Sequence, residues 1–221
     1  RDLIVNSTRV ANPGCYATAL ALGLAPLVAN GLIKLQDIVV VAASGTSGAG
    51  RAAKVNLLAS EVSGSMSTYK IGGTHQHTPE VEQTLTNVAI AHQGGGEVKL
   101  NFTPMLAPMS RGILATMSAR TDAALSQLTA AIGDWYADEP FVTLLPDGQL
   151  PATAGTLGSN AVHIQVAKDE RTERATVVVA IDNLIKGAAG QALQNANLMF
   201  GFTETAGLSA IGVAPLSLIH I

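Results

Sequence analysis

Apolar residues along this chain recur at two different spacings, and the switches between them mark its elements. The stretch "CYATALALGLAPLVANGLI" is apolar on every helical face, which predicts a buried helix from Cys15 to near Gly31. "DIVVVAAS" (37–44) is a continuous β-branched run, and such runs predict a strand covered on both faces. A Gly/Ser-rich loop follows over 44–51, then "AKVNLLASEV", which begins helically and dissolves into the polar "SGSMSTYKIGG". "TPEVEQTLTNVAIAHQ" predicts a helix with Thr78 as its N-cap, Pro79 in the first turn and acids early. "EVKLNFTP" and "RGILATMSAR" read as strands, and "TDAALSQLTAAIGDWYAD" as a helix behind a Thr/Asp cap. "FVTLLP" is a short strand. "AVHIQVAKDERTERATVVVAIDN" is two alternating strands around a charged turn, hence a hairpin. "NLIKGAAGQALQNANLMFGF" closes the series as a helix rich in small residues. Units of strand and helix mixed with strand pairs predict an α+β domain with a mixed sheet.

Composition narrows the function classes. Of 221 residues, 48% are hydrophobic but only 4% aromatic, so the core must be built from Ala, Val, Leu and Ile. The net charge is -3 without blocks of like charge, which argues against nucleic-acid or anionic-membrane partners. The longest apolar stretch is interrupted by Pro26, Asn30 and Lys34, so no membrane span is predicted. A single cysteine excludes an intrachain disulfide and fits a reducing, cytoplasmic setting. The chain opens on Arg1-Asp2 and closes on "PLSLIHI", which reads as a fragment with a non-native tail over 216–221.

That cysteine, Cys15, follows Pro13-Gly14 and stands in the first turn of the predicted helix. Unpaired N–H groups and the helix dipole there favour a thiolate, so a nucleophile with a lowered pKa is expected. The competing reading is a buried structural cysteine. A thiolate works with a proton-shuttling histidine, and "GGTHQHTPEVEQ" supplies His75 and His77, with Glu80 and Glu82 to orient a ring. A zinc site using Cys15 and a glutamate is the alternative for this H-x-H. His92, His163 and His220 have no such company. "SGTSGAGR" offers backbone N–H groups and hydroxyls that could cradle a phosphate or pack on a nicotinamide ring. Arg111 in "PMSRGI" could hold a substrate carboxylate or phosphate. No G-x-G-x-x-G stands between a strand and a helix.

Together "NPGCYAT", "SGAGR", "GGTHQHTPEVEQ", "FTPMLAPMSRGI" and "DNLIKGAAGQALQNANLMFG" make the chain resemble the N-acetyl-gamma-glutamyl-phosphate reductase family from about Ala11 to Gly207. The resemblance implies a catalytic α+β domain of the glyceraldehyde-3-phosphate-dehydrogenase-like type, over 15–183. Residues 1–14 would end a nucleotide-binding Rossmann domain that lies upstream, and 184–215 would form a helix returning to it. It further implies NADP as cofactor, an acyl phosphate as substrate, homo-oligomers at full length and no metal. Cys15 would be the nucleophile and His77 the proton relay. His75, Tyr69, Glu80 and Arg111 would bind or orient substrate, and Ser47, Gly48 and Asn183 would line the nicotinamide side. Alone, the chain is expected to have little NADP-dependent activity and, with an uncovered closing helix, poor solubility. The alternatives are a dehydrogenase of the aspartate-semialdehyde type, a cofactor-free cysteine hydrolase or acyltransferase, and a domain without catalysis.

Overall fold

The computed structural model describes residues 1–213; His220 and the tail over 216–221 lie outside the described residues. Seven strands form one mixed sheet in the order β2-β3-β1-β4-β7-β6-β5. They are β1 (Ile38–Ser44), β2 (Ser67–Thr68), β3 (Leu100–Leu106), β4 (Ile113–Arg120), β5 (Val142–Leu144), β6 (Val162–Asp169) and β7 (Arg174–Ile181). β1 runs parallel to β3 and β5 parallel to β6, while the other pairs are antiparallel. The expected hairpin is β6–β7, with Asp169 paired to Arg174 across its turn.

The helices are α1 (Asp2–Val5), α2 (Cys15–Ala29), α3 (Ala59–Val62), α4 (His77–Gln93), α5 (Leu125–Trp135), α6 (Thr153–Thr156) and α7 (Gly190–Met199). α2 packs on α4 and α5 and on strands β4 and β7, so helices cover one face of the sheet. Leu20, Leu24 and Leu27 of α2 meet Val81 and Leu85 of α4 and Val40, Phe102, Met117 and Val179 of the strands in one core. This aliphatic core is the one the aromatic-poor composition demands.

Three local expectations change. β1 is not covered on both faces: Val40 and Ala42 are buried, but Val39 and Val41 are 41% and 43% exposed. The β-branched run lies in a sheet whose long helices pack on one face, while α6 reaches the other face only near His163 of β6, so Val39 and Val41 stay partly exposed within this chain. α4 starts at His77 with Gln76 at the N-cap position. Thr78 instead falls inside the first turn, buried, its hydroxyl without a partner. α5 starts behind Ala124, whose N–H donates to the Gln127 side chain, while Thr121 accepts from Ala123 N–H. The closing segment is a π-turn over Ile185–Ala189 that leads into the shorter α7.

Candidate active site

The loop before α2 is held from three sides. Gly14 N–H donates to Glu80 Oε1 at 2.9 Å. The Gln191 side-chain amide donates to Pro13 O at 3.0 Å and to Thr18 Oγ1 at 3.1 Å. Thr18 in turn donates, through both its N–H and its hydroxyl, to Gly14 O. Residues on both sides of Cys15 are thus fixed by one buried glutamine from α7.

Two glycines make room for the chemistry. A Cβ on Gly14 would fall 2.1 Å from His77 Nε2, so the imidazole lies directly on the bare α-carbon next to Cys15. A Cβ on Gly187, in the π-turn, would fall 2.7 Å from the Cys15 Cβ. π-turns are rare and frequent at functional sites; this one brings a residue without a side chain up to the cysteine.

The half-buried Cys15 thiol is not acidified as the sequence suggests. Burial pushes its pKa above the usual thiol value, and the Glu80 carboxylate pushes the same way. The backbone N–H groups of Tyr16 and Cys15 pull it down, but burial dominates. The resting group is therefore a thiol in a cavity that His77 also lines. Burial lowers the His77 pKa, Lys70 lowers it further, and Glu80 partly offsets both. The His77 Nδ1 is buried and unpartnered.

His75 is 4% exposed and packs against the rings of Tyr16, Tyr69, Phe102 and His77 at 4.8–5.7 Å between centroids. Its Nδ1 accepts the His77 backbone N–H at 3.1 Å, which places its own proton on Nε2. Burial, with the nearby His77 and Lys70, takes its pKa down to about 4. Tyr69 O–H donates to Tyr16 O–H at 3.2 Å, and Tyr16 donates to Met105 O.

Cys15, Tyr69, His75, His77 and Gly48 line one cavity of about 440 Å³, joined there by Lys54 and Lys70. The other expected site residues stand elsewhere. Glu80 is spent on Gly14 N–H, so it holds the cysteine loop. Arg111 lines a neighbouring cavity of about 560 Å³ with Thr46, Ser47 and Leu184. Its guanidinium pairs with the fully buried Asp182 at 3.1 Å, which also accepts N–H bonds from Gly158, Leu184 and Ile185. Asn183 accepts Gly112 N–H at 2.7 Å and donates to Ser47 Oγ at 3.1 Å. That bond fixes the turn Thr46–Ala49, whose Gly48 faces the first cavity and Ser47 the second. Lys54 and Leu57 border both cavities, so the two are contiguous.

Sequence reasoning missed Gln191, Gly187, Asp182, Lys54 and Lys70. In sequence the run "GAAGQA" reads as a helix of small residues and as part of a family motif, with no role for any single residue in it. No group of three His, Cys, Asp or Glu side chains suited to a metal occurs among the described residues. No helix among them is long and apolar enough to cross a membrane. His92 packs edge-on to Trp135 and His163 is half-buried in β6, and neither lines the Cys15 cavity.

A cysteine at a helix start and a histidine over its neighbouring glycine thus meet at one cavity beside a mixed sheet. Residues 15–183 match the sequence profile of the semialdehyde dehydrogenase dimerisation domain, and the chain belongs to that family. Among relatives, it is 58% identical over 217 residues to the N-acetyl-gamma-glutamyl-phosphate reductase of Acidothermus cellulolyticus. It is 59% identical over 221 residues to the protein of that name from Frankia casuarinae. Each alignment covers 97% of this chain and 62% of the relative, so the chain spans about 62% of these relatives' length. Among solved structures, aspartate semialdehyde dehydrogenase II from Vibrio cholerae shares the fold at a TM-score of 0.64 and 19% identity. That match covers 87% of this chain and 62% of that one.

Proposed function

We propose that this chain is the catalytic domain, over 15–183, of an NADP-dependent N-acetyl-gamma-glutamyl-phosphate reductase acting in arginine biosynthesis in the cytoplasm. The observation that carries this reading is the His77 ring seated on the bare α-carbon of Gly14, the residue before Cys15, with the Cys15 and His77 side chains lining one cavity. The substrate name comes from relatives more than half identical to the chain.

The residues supply a consistent proton path. His77 Nε2 takes the Cys15 proton as the sulfur attacks the acyl carbon of N-acetyl-glutamyl phosphate. An S–C bond forms, the C–O bond to phosphate breaks, and the imidazolium gives its proton to the departing phosphate. The enzyme is left as a Cys15 thioester. His75, neutral and with its Nε2 proton fixed, is a hydrogen-bond donor for substrate oxygen, and Tyr69 is a second polar group of the same wall.

The turn Thr46–Ala49 fits the reacting end of a nicotinamide. Gly48 presents no side chain at the cavity wall, and a Cβ there would crowd Ser44 Oγ at 2.9 Å. Ser47, locked by Asn183, stands on the adjoining side. Bound NADPH would supply a hydride to the thioester carbon. Departure of the semialdehyde returns the Cys15 thiolate, which is reprotonated from solvent through His77 Nε2. Residues 1–14 and 184–215 would join this domain to a nucleotide-binding half, and two copies would pair through the sheet face that bears Val39 and Val41.

The test joins the N-terminal part of the Acidothermus relative to this chain. NADP reduction is then followed with N-acetyl-glutamate semialdehyde and phosphate. Turnover that vanishes in Cys15→Ser is the expected result. Equal turnover in both proteins overturns the role of Cys15. Turnover with aspartate semialdehyde instead overturns the substrate. Ester hydrolysis without NADP would point to a cofactor-free cysteine enzyme.

A further inference from the structure

The walls of the Cys15 cavity carry a charge pattern that the proton path does not use. Among the described residues, two lysines and no carboxylate line it. Neither Lys54 nor Lys70 is in an ion pair among the described residues. The Lys70 Nζ donates instead to the neutral Gln76 side chain at 3.2 Å, and Gln76 itself lines the cavity between the two histidines. An ammonium has three N–H donors, so two remain for a ligand.

The backbone at Lys70 is also unusual. Its φ is +46°, in the left-handed region that a lysine seldom occupies. The preceding residues are fixed: Thr68 pairs with Met105 in the sheet, and Tyr69 N–H donates to Pro104 O at 3.2 Å. Strained residues held by rigid neighbours cluster at ligand sites. Here the strain sits on the residue that carries the charge. That charge is felt at the reaction centre, since Lys70 is among the causes that lower the pKa of both His75 and His77.

We propose that Lys70, assisted by Lys54, is the anion-binding group of this site, holding phosphoryl or carboxylate oxygens of the substrate while Cys15 attacks. This rests on the reading of Cys15 as the nucleophile for an acyl phosphate. It adds a coupling: burial is the main cause of the lowered His77 pKa, and an anion on Lys70 offsets the smaller lowering that the lysine charge adds.

The experiment reads protection of Cys15, the only cysteine in the chain, from alkylation by iodoacetamide. Inorganic phosphate and N-acetyl-glutamate are the two probes, each used alone at constant ionic strength. One or both slow alkylation of the wild-type protein. Phosphate alone identifies a phosphoryl subsite, and N-acetyl-glutamate alone a carboxylate subsite. In Lys70→Gln the apparent affinity of the protecting anion falls about five- to tenfold, as for one partly exposed charged hydrogen bond. Lys70→Arg keeps protection, and so does Lys99→Gln, the same charge change outside the cavity. Lys70→Gly, which suits the left-handed backbone, is the second neutral variant should Lys70→Gln melt early. No protection of the wild type by either anion overturns the proposal, as does full protection of either neutral variant. Failure of the Cys15 reading would show separately, as turnover that survives Cys15→Ser.

Discussion

Two opposed effects meet at the Cys15 sulfur. Its place at the start of α2 gives it backbone N–H groups, and its partial burial removes the water that would solvate a thiolate. Burial wins, and the His77 imidazole of the same cavity, itself kept neutral, supplies no counter-charge. In the free protein the alkylation rate of Cys15 should therefore rise with pH, with a midpoint above the ordinary thiol value. A midpoint near neutrality in an iodoacetamide pH–rate profile would contradict this and restore the helix-dipole reading. The same logic makes His77 the gate of the reaction, since the thiolate forms only as the ring accepts its proton. His77→Asn in the completed enzyme should lower kcat about 10²- to 10⁴-fold, the usual contribution of a positioned base. A loss under tenfold in steady-state turnover would assign the relay elsewhere.

At the scale of elements, α7 does more than close the fold. Its Gln191 grips Pro13 and Thr18, 178 and 173 residues away in sequence, and the π-turn before it presses Gly187 against Cys15. Gln191→Ala removes the bonds to the Pro13 carbonyl and the Thr18 hydroxyl, which costs about 0.5–1.5 kcal/mol for each. We expect kcat to fall by more than KM rises, because the nucleophile loop shifts while the cavity walls remain. Unchanged kcat with a lowered Tm would make Gln191 merely structural. The other element with unspent surface is β1, whose Val39 and Val41 stand partly exposed in a domain family named for dimerisation. Sedimentation should show the wild-type protein as an oligomer and Val41→Arg as a monomer with unaltered circular dichroism. An arginine variant that stays associated would place the contact on another face.

For the molecule as a whole, acid should be the weak direction. Burial lowers the pKa of His75, His77 and His163, His75 to about 4. The unfolded chain therefore binds more protons than the native one below the ordinary histidine value of about 6.5. Stability from these three groups is complete above that pH and is lost as pH falls toward the lowered values. Each such proton steepens the loss by up to about 1.4 kcal/mol per pH unit. Urea midpoints should drop between neutral pH and about 5, and His75→Phe should flatten that slope. A midpoint independent of pH in this range would show the rings to be solvated.

Features that depend only on neighbours in the chain are legible without a fold. Pro13-Gly14-Cys15 before an apolar helix, the H-x-H ahead of α4 and the alternating strands of β6 and β7 all declare themselves through local geometry and period. The Thr78 cap failed because Thr and Pro near a helix start tolerate several registers, and packing of His77 chose one. The rest comes from packing between remote segments. Whether β1 is covered once or twice depends on where the helices pack, and whether a thiol is acidified depends on water excluded by distant segments. That Gln191 and Gly187 serve Cys15, and that Lys70 shares its cavity without an acid partner, follows from contacts between remote parts of the chain. No pattern of neighbours records such contacts, because the free energy that selects them belongs to the assembled core.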